Sequence, residues 1–148
     1  MVMLSKLDMA VFEAGLQHPW VFRYPIRWEL YRRNDGDPEK VHEYTMKLLN
    51  DPAVIRHLQY SRDLFATPKE LRIDFGGRRM SPFGTAAGMD KNGDALEAFS
   101  YVFGFQEIGT VVVHDRPGKD KPRVAADPAN EDLYNAQGFP TKCKNYVK

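Results

Sequence analysis

A chain of 148 residues is long enough for one ordinary domain, and 43% hydrophobic with 28% charged residues describes a globular protein, not a disordered one. The formal net charge of +1 gives no electrostatic footprint for nucleic acid, and a single cysteine, Cys143, excludes an internal disulfide and fits a reducing compartment. No apolar run approaches the roughly 20 residues of a membrane-spanning helix, and no signal peptide is visible.

Met1 to Gln17 places Leu4, Leu7, Val11 and Ala14 on one side at helical spacing, and His18-Pro19 ends the pattern. Two readings stand side by side: a helix lying on a membrane surface, or one packed on its own protein. The polar face is not rich in Lys or Arg, as surface-bound helices usually are. Phe22 to Arg33 (FRYPIRWELYRR) is aromatic and basic together. Stacking on nucleic-acid bases is one use of such letters. A helix that buries Ile26 and Leu30, with arginine stems along its flanks, explains them better. Asn34 to Pro38 is a turn, with Asp37 as N-cap and Pro38 at the first helical position. The helix that follows carries Val41, Tyr44, Thr45, Leu48 and Leu49 and stops at Asn50-Asp51-Pro52; another runs from Ala53 to Phe65. Glu70 to Phe75, Gly76-Gly77 and Arg78 to Met80 read as a β-hairpin, since Leu71, Ile73 and Phe75 alternate with polar residues around a two-glycine turn.

The stretch Ser81 to Arg123 organises the rest. A small-residue strand, Phe83 to Ala87, runs into Gly88-Met89-Asp90-Lys91-Asn92-Gly93. A helical pattern covers Asp94 to Val102, and an apolar strand covers Phe105 to Val113. This spacing predicts one right-handed βαβ unit with parallel strands. Small residues at the first strand's end let the backbone approach something flat. Lys91 then stands at the carboxyl end of that strand, where α/β folds keep their chemistry. There is no GxGxxG and no Walker sequence. Asp90, Asn92 and Asp94 mimic the start of an EF-hand loop, but Ala95 and Tyr101 replace its required Gly and Glu. His18, His42, His57 and His114 are scattered, so no metal constellation forms. His114 to Arg123 is a loop by composition, and Asn130 to Phe139 leads to a last turn at Gly138-Phe139-Pro140 before a polar tail from Lys142 to Lys148.

Four motifs, AAGMDKNGDALEAF, GFQEIGTV, RPGKDKPR and LYNAQGF, resemble in order and spacing the first part of a dihydroorotate dehydrogenase of the membrane-associated, quinone-using class. The resemblance runs from about Tyr24 to Thr141 and covers the amino-terminal portion of that family's domain. It implies an α/β fold: an amino-terminal helical extension over residues 1–66, then the hairpin and first βα units of a (β/α)8 TIM barrel over 67–148. A full barrel takes about 250 residues, so the barrel would be incomplete in this chain.

The resemblance also implies roles. Ala87, Gly88, Met89 and Asp90 match the backbone beside FMN, Lys91 the lysine that holds the orotate carboxylate and contacts FMN, and Thr110 a threonine that hydrogen-bonds FMN. Asn135, Ala136, Gln137, Gly138 and Phe139 match the substrate loop, where the asparagine amide reads the pyrimidine edge; an amide offers both a donor and an acceptor. The helical extension would form the mouth for the quinone and touch the membrane, with His42 on the quinone side. Taken alone, Lys91 is a surface charge, Thr110 a β-branched strand residue, Asn135 a loop residue and His42 a half-buried helix histidine. The chain departs from the pattern in three places. The stretch from Lys91 to Thr110 is one residue short, Ala136 and Gln137 replace an arginine and an apolar residue, and Ala126 replaces an arginine that faces the quinone.

The implied activity is oxidation of dihydroorotate to orotate in pyrimidine synthesis, with FMN and a quinone acceptor. The implied location is peripheral, on the cytoplasmic side of a membrane or at the mitochondrial inner membrane in a eukaryote. No catalytic residue is expected within the chain: the base, a serine on a later barrel loop, would lie beyond Lys148, and a base must stand within hydrogen-bond reach of its proton. The chain is therefore expected to be inactive alone, whether it is a split subunit completed by a second chain, a truncated gene product or a fragment. The alternative is a non-catalytic half-barrel that pairs with a partner through its uncovered edge.

Overall fold

The structure is a computed structural model, and it describes residues 10, 14, 18–127, 129, 130 and 132–142. The amphipathic pattern of Met1 to Gln17, Cys143 and the polar tail lie outside the described residues. The chain divides into two compact units, Met1–Asp51 with Lys119–Gly138, and Pro52–Gly118 with Phe139–Lys148. These boundaries reflect contacts and do not coincide with the 66/67 division expected from family parts.

In the first unit, a helical turn α1 (Pro19–Val21) passes through a π-type turn, Phe22–Ile26, into α2 (Arg27–Arg33). Pro25 sits inside the π-type turn; it has no N–H to donate, and the wider turn accommodates it. Ile26 and Leu30 are half-buried as expected. Trp20, Tyr24 and Trp28, four residues apart, remain 63%, 66% and 65% exposed. Arg23, Arg27 and Arg32 lie 6.0, 5.8 and 5.6 Å from the rings of Tyr24, Tyr31 and Trp28, so the aromatic and basic letters serve each other within the helix.

Glu29 is gripped by Arg32 (Nη2 to Oε1, 2.7 Å) and Arg33 (Nε to Oε1, 2.6 Å). Hydrogen bonds from Arg32 first, then Arg33, lower its pKa from the ordinary 4.5 to about 2. A depressed carboxylate supports the helix fully above its unfolded pKa and loses that support as pH falls through the folded one. Carboxyl carbon NMR should therefore find Glu29 titrating near pH 2; a midpoint near 4.5 would mean that the double grip is not populated in solution.

Helix α3 (Pro38–Leu49) starts as the sequence predicts: Asp37 Oδ1 accepts from the backbone N–H of Glu39 at 2.8 Å and Lys40 at 3.3 Å, with Pro38 following the cap. Against it packs a hairpin of β5 (Val124–Asp127) and β6 (Asp132–Asn135), antiparallel with Val124 opposite Asn135 and Asp127 opposite Asp132. The Asp127 side chain accepts from Asn130 Nδ2 at 2.8 Å and from the Ala129 N–H at 3.1 Å, which closes the turn and holds its carboxyl below the usual range. The sequence reading had a loop to Arg123 and no strands here, because Ala and Asp are poor strand formers.

In the second unit, α4 (Pro52–Ser61) continues into a 3-10 turn, Arg62–Phe65. The expected hairpin is present as β1 (Ile73–Phe75) and β2 (Arg78–Met80), with Phe75 opposite Arg78. Gly76 and Gly77 take φ of +59° and +77°, as a two-residue turn matched to strand twist requires. Glu70 and Leu71 are not strand: Lys69–Leu71 is a 3-10 turn closed by the Leu71 N–H on the Pro68 carbonyl. Nor does the alternation bury a face, since Leu71, Ile73 and Phe75 are all exposed.

The βαβ unit is present but shorter than expected. Strands β3 (Gly84–Thr85) and β4 (Phe105–Gln106) are parallel, and α5 (Leu96–Ser100) connects them. The expected strands Phe83 to Ala87 and Phe105 to Val113 shrink to two residues each. A turn opens at Ala86, whose carbonyl accepts from the Met89 N–H, and leaves β4 nothing further to pair with on that side. The helix starts at Leu96 and not at Asp94, because Ala95, at φ −117° and ψ 28°, lies outside helical geometry in the turn whose Asp94 and Ala95 amides the Asp90 carboxylate accepts. The core of this unit is Val54 and Leu58 of α4 against Ala98 and Phe99 of α5, with Ala95 just before it.

Candidate functional site

Because β3 and β4 are parallel, their carboxyl ends share one edge. Ala87, Gly88, Met89, Asp90 and Lys91 follow β3 at that edge, and Thr110 follows β4. Ala86 and Ala87 are exposed, Met89 is 50% exposed, and Thr110 is exposed on its loop. Gly88 has φ of +99°, and a Cβ built on it would meet nothing within 4 Å. The result is a bare backbone shelf, open to a flat ring, with a half-buried lysine beside it. These residues fit a flavin in shape and chemistry.

Asp90 does something the sequence did not disclose. It is 1% exposed, and its carboxylate accepts from the Asp94 N–H at 2.7 Å, the Ala95 N–H at 2.8 Å and Gln106 Nε2 at 2.9 Å. One side chain therefore clasps the turn ahead of α5 to β4, and only its backbone is left for the shelf. Asn92 plays a parallel part: its Oδ1 accepts from Thr141 Oγ1 and the Lys142 N–H, both at 3.2 Å. Thr141 exchanges backbone hydrogen bonds with Arg116 at 2.9 Å in each direction. The lone hint was an Asp four and five residues ahead of the amides it takes, which reads as a turn former. Thr85, 5% exposed on β3, has a buried hydroxyl with no hydrogen-bond partner among the described residues.

The opposite, amino-terminal edge of the strand pair holds a cavity of about 230 Å³, lined by Phe65, Thr67, Arg72, Arg79, Tyr101 and Gly104 among others. No residue expected at a functional site lines it. Among the described residues no group of three or more His, Cys, Asp or Glu could hold a metal, and no helix is long and apolar enough to cross a membrane.

The other expected residues lie on the first unit, except Phe139. Asn135 ends β6 opposite Val124, and the Ala136 N–H donates to the Arg123 carbonyl at 2.8 Å. Gln137 is held in turn, its carbonyl accepting from the Lys119 N–H at 2.9 Å. Asn135 and Ala136 are exposed, and Gln137 and Gly138 half-buried. Phe139, with φ of +56°, is 65% exposed. His42 is half-buried in α3, one turn beyond Glu39. Ala126 pairs with Leu133 within the hairpin. Glu39, which reads as an ordinary first-turn acid, is 7% exposed and bound to Arg123. Nothing in the letters announces a partner so far along the chain.

Residues 72–148 match a family model described as dihydroorotate dehydrogenase. A protein named dihydroorotate dehydrogenase (quinone) from Chloroflexus aurantiacus is 38% identical over 122 residues, covering 80% of this chain and 34% of the relative. One of the same name from Salinispora arenicola is 37% identical over 124 residues, covering 80% and 36%. Among solved structures, DHODH in complex with ferulenol from Eimeria tenella aligns with a TM-score of 0.64 at 33% identity, over 81% of this chain and 31% of that one. The chain spans about a third of the length of the curated relatives it matches.

Proposed function

The chain belongs to the dihydroorotate dehydrogenase family, and from that premise we propose that it forms part of an enzyme oxidising dihydroorotate to orotate in pyrimidine synthesis. The observation that carries the reading is the parallel pair β3 and β4, whose carboxyl ends lead on one strand into the open turn at Gly88 and Lys91 and on the other into the loop of Thr110. The similarity to the solved Eimeria tenella structure supports a TIM-barrel reading, and a parallel strand–helix–strand unit with its polar residues at the carboxyl edge agrees with that architecture. In this reading residues 1–66 are the helical extension, and 67–148 contribute the first barrel units.

The cofactor in this reading is FMN, which when bound supplies a hydride acceptor for the ring carbon. Ala87, Gly88, Met89 and the Asp90 backbone form the surface along which the flavin lies, and the Thr110 hydroxyl hydrogen-bonds it. Lys91 holds the substrate carboxylate with its ammonium, a compact charge on a flexible stem. Asn135 reads the pyrimidine edge with both amide atoms, while Ala136, Gln137, Gly138 and Phe139 shape the loop. His42 lines the quinone side. The exposed Trp20, Tyr24 and Trp28 with their neighbouring arginines suit the membrane–water interface, which supports peripheral membrane contact. A second chain, or further sequence, completes the barrel and brings the base. The orphan Thr85 hydroxyl and the exposed Phe83, Phe105, Val111 and Val113 support such a completion.

The test is a native mass spectrum of the protein purified from its host. A mass that includes one FMN and a barrel-completing partner supports the reading, and in that assembly Lys91→Ala should abolish orotate binding. A bare 17.0 kDa monomer without flavin overturns it. The same exposed apolar residues also favour a second reading, a non-catalytic half-barrel that binds a partner; there Lys91→Ala leaves partner binding unchanged.

A further inference from the structure

Arg123 faces two ways. Its guanidinium reaches α3, where Nε donates to Glu39 Oε1 at 2.7 Å and Nη2 lies 2.7 Å from the same oxygen. The pair is nearly closed to solvent, with side chains 13% and 9% exposed. Its backbone carbonyl, on the other side, accepts the Ala136 N–H at 2.8 Å, next to Asn135. Nη1 also donates to the Lys119 carbonyl at 3.2 Å, and the Lys119 N–H donates to the Gln137 carbonyl at 2.9 Å. Lys121, just ahead of β5, reinforces the arrangement by reaching two carboxylates of α3, at 2.8 Å from Glu43 and 3.6 Å from Glu39; the Glu43 hydrogen bond raises its pKa and keeps it charged. Glu39 is itself held, since its N–H is capped by Asp37.

We propose that Arg123, through its ion pair with Glu39, is a positioning residue that holds the loop of Asn135 to Gly138 in register on α3. The hairpin alone gives that loop a weak hold: every residue of β6 is exposed, and the last strand pair is Val124 with Asn135. Beyond that pair, backbone bonds tie the loop to Arg123 and Lys119, and both of these residues are held by the same guanidinium. Removing one member of a buried pair leaves the other charge uncompensated, so the strand entry should shift and release both bonds together. Because His42 sits one turn from Glu39, the tie joins the helix assigned to the acceptor side with the loop assigned to the substrate. This joining of roles rests on the functional reading above; the mechanical tie does not.

The test is residue-resolved amide hydrogen exchange on the full chain, comparing the parent with Glu39→Gln and Arg123→Lys. Gln keeps the shape without the charge, and Lys keeps the charge without the fork. The expected result is exchange of the Ala136 and Lys119 amides faster by roughly tenfold or more in both variants. The Val41 amide within α3, and the Glu107 amide on the other unit, should not change. The exchanged pair, Glu39→Arg with Arg123→Glu, should restore part of the protection. Unchanged Ala136 and Lys119 amides would overturn the proposal. So would a uniform loss across α3, which would make the pair a general stabiliser and not a tie. Orotate titration of the completed assembly separates the two layers. Weaker binding in Glu39→Gln with flavin content unchanged supports positioning of a substrate loop. An assembly whose parent form binds no orotate overturns the substrate role of the loop, while the exchange result still decides the tie.

Discussion

Replacing Asp90 with alanine should destabilise the second unit by about 3 kcal/mol or more. The carboxylate is 1% exposed and accepts three hydrogen bonds, from the amides of Asp94 and Ala95 and from Gln106 Nε2. Alanine leaves the two amides and the glutamine without an acceptor in a place that a water must enter to reach. For a unit of this size a loss of that order lowers the melting temperature by roughly 15 °C. Asp90→Asn should fall between parent and alanine, since one amide oxygen still accepts while the NH₂ points at a donor. Thermal unfolding followed by circular dichroism reads both. A shift within about 2 °C for alanine would show that the clasp is dispensable. The effect on the shelf is a corollary, because Gly88, Met89 and Lys91 share the turn that Asp90 anchors.

Gly104→Ala should be the next most damaging change, costing about 3 kcal/mol, and Gly84→Ala should cost under about 1 kcal/mol. Both glycines lie in or beside the short parallel pair, and a Cβ at either position meets a neighbour. At Gly104 the neighbours are the carbonyl oxygen and Cα of Ser81, which are backbone and cannot move without undoing the Gly104 N–H bond to the Phe83 carbonyl at 2.9 Å. At Gly84 the neighbour is the Phe105 ring at 2.5 Å, a side chain 45% exposed that can rotate toward solvent. Urea unfolding of the two variants gives the comparison directly. Equal losses would mean that the ring is not free to move, or that the strand entry is softer than its hydrogen bond implies.

Elements defined by neighbouring residues were legible in the sequence. Asp37 and Pro38 start a helix because an Asx side chain and a fixed φ act within one turn. Gly76-Gly77 make a hairpin turn because glycine takes two positive φ angles in succession at no steric cost. The strand, turn, helix and strand order from Gly84 to Gln106 followed from spacing. The lengths of those strands did not, because a parallel strand extends only as far as its neighbour does, and β3 turns away after Thr85. The β5–β6 hairpin escaped notice because its letters, VAAD and DLYN, carry little strand propensity; its pairing and the packing of α3 on β5 hold it.

The family, the order of its motifs and the residues that make them up are properties of the sequence by itself, since they are matters of residue type and spacing. The tertiary structure alone decided which polar groups hold those residues in place. The Asp90 and Asn92 side chains anchor the turn they stand in, and Glu39 found Arg123 far along the chain. The physical reason is that a buried carboxylate takes whatever donors the fold brings within hydrogen-bond distance, and a one-dimensional pattern does not record which donors those are.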